Sequence, residues 1–413
     1  MLIDKIELMA PAGNFESLMA AIQAGADSVY FGLDSLNMRN RSGSNFTIED
    51  LGSISEICRS NNIKSYLTLN TVMFDGDLDK VRLIIDQVKD KSIDAVIASD
   101  HAVMNYARKV GVAVHISTQC NITNIDTVEF YSVYSDVMVM ARELSLEQVA
   151  AIAGQIEERQ IAGPGGNPVR IEVFGHGALC MSVSGKCYLS LDNHAASANR
   201  GACAQNCRRK YLVIDKDRGV ELEIDNEYIM SAKDLCTIDF LDKIIDAGVK
   251  VLKIEGRGRS TDYVYTVTQC YREAIDAYYN DEYRSDRFDE WKRRLSTVFN
   301  RGFWDGYYLG RKIGEWSNSY GSIATRKKAI IGKAINYYQT AKAAAFKLES
   351  QSLVPGDEIL ITGPTTGIIQ MTLEELFIEG VKVEQVSKGD LFTISLHTKV
   401  RPSDKLYKII TTE

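Results

Sequence analysis

The sequence is short of several things, and each shortage excludes a class. Its 413 residues hold only 6 Pro, 3 Trp and 5 His. So little proline beside 30 Gly excludes collagen-like and proline-rich disordered chains. No run of 18 apolar residues passes without a charge, so no membrane-spanning helix is expected. The opening Met1-Leu2-Ile3-Asp4-Lys5-Ile6-Glu7 carries charge inside its apolar stretch, so a signal peptide is not expected and a cytoplasmic location is the default. Positive charge is not in excess: 48 Lys+Arg face 55 Asp+Glu, a net of −7, which excludes coating nucleic acid by bulk charge but leaves room for a local basic patch. Neither a Walker loop nor a GxGxxG after a strand occurs, which argues against nucleotide-driven chemistry.

What is present is a rhythm. Short apolar runs recur at Ile6–Ala10, Ser28–Gly32, Ser65–Asn70, Ala95–Ser99, Ala113–Ser117, Val137–Met140, Arg170–Phe174 and Lys250–Glu255. Helix-like stretches such as Leu78–Val88, Ala102–Val110 and Leu146–Gln155 separate them. Strand–helix alternation implies right-handed crossovers and a parallel sheet, and eight units favour a closed (β/α)8 TIM-like barrel over an open doubly wound sheet. Gly25 and Gly248 stand where helix ends would feed the next strand. The barrel domain is expected over 1–320. Helices are expected at 262–279 and near 286–299. From 321 to 413 the pattern becomes short alternating runs with Gly turns, which predicts a small C-terminal β-barrel or sandwich. That segment carries 12 Lys+Arg against 10 Asp+Glu, a slight basic excess on an otherwise acidic chain.

Unit seven is irregular. About 75 residues separate strand seven from strand eight, and the insertion, over 178–248, is expected to hold a hairpin of Lys210–Ile214 with Glu221–Ile224. Four of the eight cysteines cluster there as Cys180-x6-Cys187-x15-Cys203-x3-Cys207. Loops that follow barrel strands line the active face, so the cysteines should sit over the barrel mouth. Without export they should stay reduced. Four thiolates suit a zinc ion or an iron–sulfur cluster, and buried or redox thiols are the plainer alternative. The loose spacing, with no CxxC pair, fits a cluster better than one ion. Arg200, Arg208, Arg209 and Lys210 flank the set and would lower thiol pKa values. Cys236 is the spare ligand, while Cys58, Cys120 and Cys270 read as packing residues.

Other residues fall at strand ends. His176, after strand seven, is a candidate acid/base or substrate donor; its plain alternative is a polar residue satisfying loop backbone. Arg142, Glu255, Arg257 and Arg259 end strands six and eight, where guanidinium forks could grip carboxylate or phosphate, or lock loop to strand as ion pairs. Asn70, Gln119 and Asn121 could line the same mouth. Arg39 and Arg41, after strand two, read as solvated, with anion binding as the alternative. A Cys–His protease would need one reactive thiol near an imidazole, and the spacing singles out none.

The segment Glu172-Val173-Phe174-Gly175-His176-Gly177-Ala178-Leu179-Cys180, continuing to Cys187 and Ser190, resembles the signature of the collagenase-like peptidase family (family U thirty-two). So do Met9–Gly13, Ala24–Gly32, Ala141–Ser145, Ser231–Cys236, Lys253–Arg257 and Asn300–Phe303. Gly201-Ala202-Cys203-Ala204-Gln205-Asn206-Cys207-Arg208 is similar to the RNA-modifying members, closest to the tRNA hydroxylation protein P branch. The resemblance implies an iron–sulfur-dependent, oxygen-independent tRNA hydroxylase forming 5-hydroxyuridine at the wobble position, dependent on prephenate. It implies a [4Fe–4S] cluster on Cys180, Cys187, Cys203 and Cys207. Arg142, Arg257 and Arg259 would then grip the two carboxylates of prephenate or tRNA phosphate, with Asn70 and Gln119 beside them. His176 and Glu255 would move protons. A wobble base flips out of its loop cheaply because it is unpaired. Two further classes follow from the same family: a collagenase-like peptidase, and a non-catalytic iron–sulfur protein that binds RNA or acts as a scaffold.

Overall fold

The computed structural model describes residues 5–40, 45–195, 197–211, 214, 215, 217, 220, 221, 230–311 and 314–412. Arg41 and most of the expected hairpin lie outside these residues. Of the hairpin, Ile214–Asp215 pairs antiparallel with Val220–Glu221.

Eight parallel strands form the barrel: β1 (Glu7–Pro11), β2 (Ser28–Phe31), β3 (Lys64–Leu69), β4 (Ala95–Ala98), β5 (Ala113–Ile116), β6 (Val137–Val139), β7 (Arg170–Ala178) and β8 (Val251–Ile254). Each pairs with its sequence neighbour, and β8 closes the ring by pairing with both β7 and β1. Helices α1 (Phe15–Gln23), α2 (Leu51–Ser60), α3 (Leu78–Asp90), α4 (His101–Val110), α5 (Ile125–Ser132) and α6 (Leu146–Glu158) cover the first six strands. Strands buried on both faces tolerate continuous apolar runs, and β1, β2 and β4 are buried at every residue. Gly25 and Gly248 take φ of +82° and +84°, a conformation that side-chain-bearing residues resist and a helix end needs.

The barrel interior is not wholly apolar. At its floor the Glu7 carboxylate accepts from Lys64 Nζ at 3.0 Å, Arg170 Nη2 at 3.1 Å and Tyr66 Oη at 2.8 Å. Burial would raise the Glu7 pKa, but the two cations and the phenol hold it down at about 2. Above this layer, Lys253 on β8 pairs with Glu172 on β7.

Two features depart from the simple pattern. Strand β7 runs four residues past Phe174, because the insertion returns along it: Asp234–Cys236 pairs antiparallel with His176–Ala178, and Phe303–Trp304 pairs beyond it. The insertion also holds a short helix, α7 (Leu189–His194), which periodicity did not indicate. After it come α8 (Leu241–Asp246), α9 (Thr261–Tyr279) and α10 (Ser285–Ser296).

Beyond the barrel lies one eight-stranded antiparallel sheet, running 367–372, 358–363, 405–411, 326–338, 343–348, 391–395, 376–378 and 381–383. Register shifts near Ile330 and Ala334 let the long strand Arg326–Tyr338 bend over a core of its own, built on Ile331, Phe346, Phe392 and Leu406. A small seam of Ala20, Leu360 and Ile368 joins this sheet to α1. Among the described residues, no helix is long and apolar enough to cross a membrane.

Candidate active site

The C-terminal ends of β2 to β8 open into a cavity of about 220 Å³, roofed by the insertion. Cys180, Cys187, Cys203 and Cys207 all line it, and all four are free thiols. The roof is held by close contacts. Gly201 sits at φ +86° with its missing Cβ 2.2 Å from the Asn37 carbonyl, and Gly185 lies on the Gln119 side chain. Asn199 ties roof to wall: its side chain accepts from Cys187 N at 3.2 Å and its carbonyl from Val72 N at 3.2 Å. Asn121 donates to the Ser184 carbonyl at 3.4 Å. Arg200 grips Asp77 and stacks 4.0 Å above the Phe74 ring, so it braces the roof from outside.

Cation crowding is the cavity's main electrostatic property. Among the described residues Arg39, Arg142, Arg208, Lys253, Arg257, Arg259 and Arg301 line it, against the one lining carboxylate of Glu255. Arg39, expected in solvent, instead pairs with Glu255 at 2.9 Å. Glu255 also accepts from Ala178 N at 3.3 Å. Burial pushes its pKa up, yet Arg39, Arg259 and Arg142 outweigh burial and hold it at about 2. A carboxylate so strongly held is a poor proton donor near neutrality and a weak base. Its evident work is to gather the guanidiniums.

The arginines differ in freedom. Arg142 stacks 4.2 Å over Phe174, and among the described residues its buried Nε has no partner. Arg259 lies 3.6 Å over Phe299 and 4.0 Å from Asp234. Arg257 is committed to the wall, donating to Thr68 Oγ1 and Asn37 Oδ1 at 2.9 Å each, with Gly32 leaving the space it fills. Arg208 donates to the Leu179 and Ala232 carbonyls. Asn70 bonds Ser117 and Gln119 at 3.3 Å each at the rim.

The thiols respond to this setting unequally. Burial raises the Cys180 pKa, but Ser182's hydroxyl and amide, with Arg142 and Arg39, bring it below the ordinary value. Burial raises Cys207; Arg208 opposes it, while Cys180, Cys203 and Cys187 act as like charges and reinforce it. The other three sulfurs are therefore near enough for Cys207 to feel them. Among the described residues no three His, Cys, Asp or Glu gather tightly enough for one metal ion. Four free thiols lining one cation-lined space are the donor type that an iron–sulfur core takes.

Two of the candidate ligand and proton-transfer residues lie off the cavity. His176 does not line the cavity. By strand alternation it should face inward with Glu172 and Phe174, but the register shifts where Lys253 pairs Phe174 and Ile254 pairs His176. Gly175 takes up the extra residue, and its carbonyl is satisfied by Thr237 Oγ1 at 2.9 Å and Tyr271 Oη at 2.8 Å. His176 thus turns outward among Tyr263, Tyr271 and Phe303. Burial, reinforced by Arg259 and opposed by Glu255, lowers its pKa to about 3. Cys236 is the second. It lies buried opposite His176 on the outer strand, off the cavity, where burial raises its pKa to about 11. Lys253 and Arg301 line the cavity without having been singled out. Both lie inside motifs, Lys253–Arg257 and Asn300–Phe303, that were noticed as strings and not as side chains.

Fold and site together define a class: a parallel barrel whose mouth is closed by a four-cysteine roof over a cationic chamber. The chain belongs to peptidase family U32, whose model matches residues 13–318. It is 57% identical over 406 residues to a protein named collagenase from Porphyromonas gingivalis, covering 98% of each chain. It is 31% identical over 414 residues to tRNA hydroxylation protein P1 of Bacillus subtilis, covering 98% of this chain and 95% of that one. Similarity to the 23S rRNA 5-hydroxycytidine C2501 synthase of Escherichia coli is 33% over 274 residues, or 66% of this chain and 40% of that one.

Proposed function

We propose that this protein is an oxygen-independent tRNA hydroxylase that forms 5-hydroxyuridine at the wobble position, using a [4Fe–4S] cluster and prephenate. The observation that carries the proposal is the meeting of four free cysteines and six arginine side chains in one chamber at the barrel mouth. Cys180, Cys187, Cys203 and Cys207 would hold the cluster, which when bound supplies electron transfer or Lewis-acid chemistry at iron. Arg142, and Arg259 once it gives up its 4.0 Å contact with Asp234, would receive carboxylates, and Arg257 fixes the wall behind them. The cation excess also favours RNA phosphate at the entrance, and an unpaired anticodon base can leave its stack at the cost of a few kcal/mol. Relatives named for tRNA and rRNA hydroxylation support the reaction class.

The test is tRNA from a deletion strain complemented with wild-type or Cys203→Ala protein. Mass spectrometry should show 5-hydroxyuridine derivatives lost in the deletion, restored by wild type and not by Cys203→Ala, and anaerobically purified Cys203→Ala should retain less iron and sulfide. Unchanged nucleosides in the deletion strain would refute the proposal.

A peptidase role is the second possibility, and the collagenase-named relative favours it. Against it, His115 and His176 are both buried away from the chamber, each with a pKa lowered to about 3 by burial. Peptide cleavage that survives replacement of all four roof cysteines would support this second role.

A further inference from the structure

The hydroxylase proposal leaves unused the most unusual group in the chamber, Lys253. It lies on β8, is buried, and lines the cavity floor. Its Nζ lies 2.8 Å from Glu172 Oε1, 4.5 Å from the Tyr30 ring centroid and 5.7 Å from that of Phe174. Glu172 is fully buried, and among the described residues its second oxygen has no hydrogen-bond partner. That leaves an acceptor beside a buried lysine that lines the cavity. Burial lowers the Lys253 pKa; Glu172 opposes this, and Arg257 and Arg142 add to it as like charges. Burial likewise raises that of Glu172. Both directions lower the cost of passing the shared proton from amine to carboxylate, and the fraction of the pair so exchanged carries a nucleophilic nitrogen.

The geometry points to Lys253 as an imine-forming residue for an anionic carbonyl compound, an oxo acid, with its carboxylate on Arg142. The amine selects the carbonyl, and the neighbouring guanidinium selects the carboxylate. The Nζ lone pair attacks the carbonyl carbon, forming C–N, and one nitrogen proton moves to the oxygen. The proton held by Glu172 goes to that hydroxyl, and the C–O bond breaks to release water. The product is an iminium facing a Glu172 carboxylate, so the positive charge of the original pair stays in place and nothing is oxidised or reduced. This rests on the hydroxylase proposal only for the ligand's name, since prephenate carries a 2-oxo carboxylate.

Borohydride trapping tests it. The protein is incubated with pyruvate or phenylpyruvate, reduced with sodium borohydride, digested and mapped by mass spectrometry. Hydride adds to the iminium carbon, leaving a stable secondary amine. Labelling should fall on Lys253, vanish in Lys253→Arg, drop at least tenfold in Glu172→Gln, and be suppressed by succinate, which has carboxylates but no reactive carbonyl. Wild-type protein alone is decisive: ligand retained in equilibrium dialysis while Lys253 stays unlabelled overturns the inference, and so does absence of both retention and labelling. Trapping needs neither cluster nor RNA. Labelled Lys253 with unchanged tRNA nucleosides in the deletion strain would therefore sink the hydroxylase proposal and leave this inference standing.

Discussion

An imidazole buried among three aromatic rings is an acid sensitivity built into the fold. His176 titrates near 6.5 when unfolded and at about 3 in place, lowered by burial first. A depressed histidine pKa means the unfolded chain takes up protons that the folded one refuses. Its contribution is fully present above about pH 6.5 and is lost as pH falls toward 3, on the order of 5 kcal/mol in total. His176→Phe should flatten this decline, read as the urea midpoint at pH 7 and pH 4 against wild type. His115, similarly depressed, would supply what slope remains. At this scale the roof cysteines were legible, because four thiols crowded into one short segment seldom serve packing alone. The orientation of His176 was not, because it depends on one extra residue in β7 that no local pattern marks. Cys236 misled for a related reason: closeness in sequence to the cluster said nothing about a strand that carries it along the outside of β7.

The elements of the barrel fell within a few residues of their expected places, since each strand is a largely buried apolar run. Strand β7 and helix α7 did not, because both depend on how the insertion folds back, a pairing between residues far apart in sequence. The roof is the element on which the site depends. Its fit over the loop after β2 rests on Gly201, whose left-handed backbone and missing Cβ face the Asn37 carbonyl. Gly201→Ala should cost about 1–2 kcal/mol from backbone conformation alone, and more from the clash. The expected outcome is faster limited proteolysis within 178–210, with unchanged far-ultraviolet circular dichroism from the barrel. Proteolysis at the wild-type rate would show that the contact is yielding.

In the whole molecule, the C-terminal sheet is fastened along α1 and α9. Gln23 accepts from Ile368 N and donates to the Thr366 carbonyl at 2.9 Å each; Lys405 pairs with Glu16, and Lys328 with Asp262. The apolar centre of this contact is small: Ala20, Leu360 and Ile368. A charge at Ile368, 7% exposed, should release the sheet while leaving both cores intact. Ile368→Asp is expected to split calorimetric unfolding into two transitions and enlarge the radius of gyration in solution scattering. The existence of the second sheet was legible in its alternating runs, but its seat on α1 was not, because polar pairs such as Gln23 with Ile368 leave no periodic trace.

Ring closure through β8 also sets an order of events during synthesis. The last stave leaves the ribosome only after the whole insertion has emerged, so the cylinder stays open while all four roof thiols are already outside the exit tunnel. They must wait, reduced and uncovered, for the floor they will face, and whatever they are to hold can be enclosed only once residue 253 has joined residues 9 and 174.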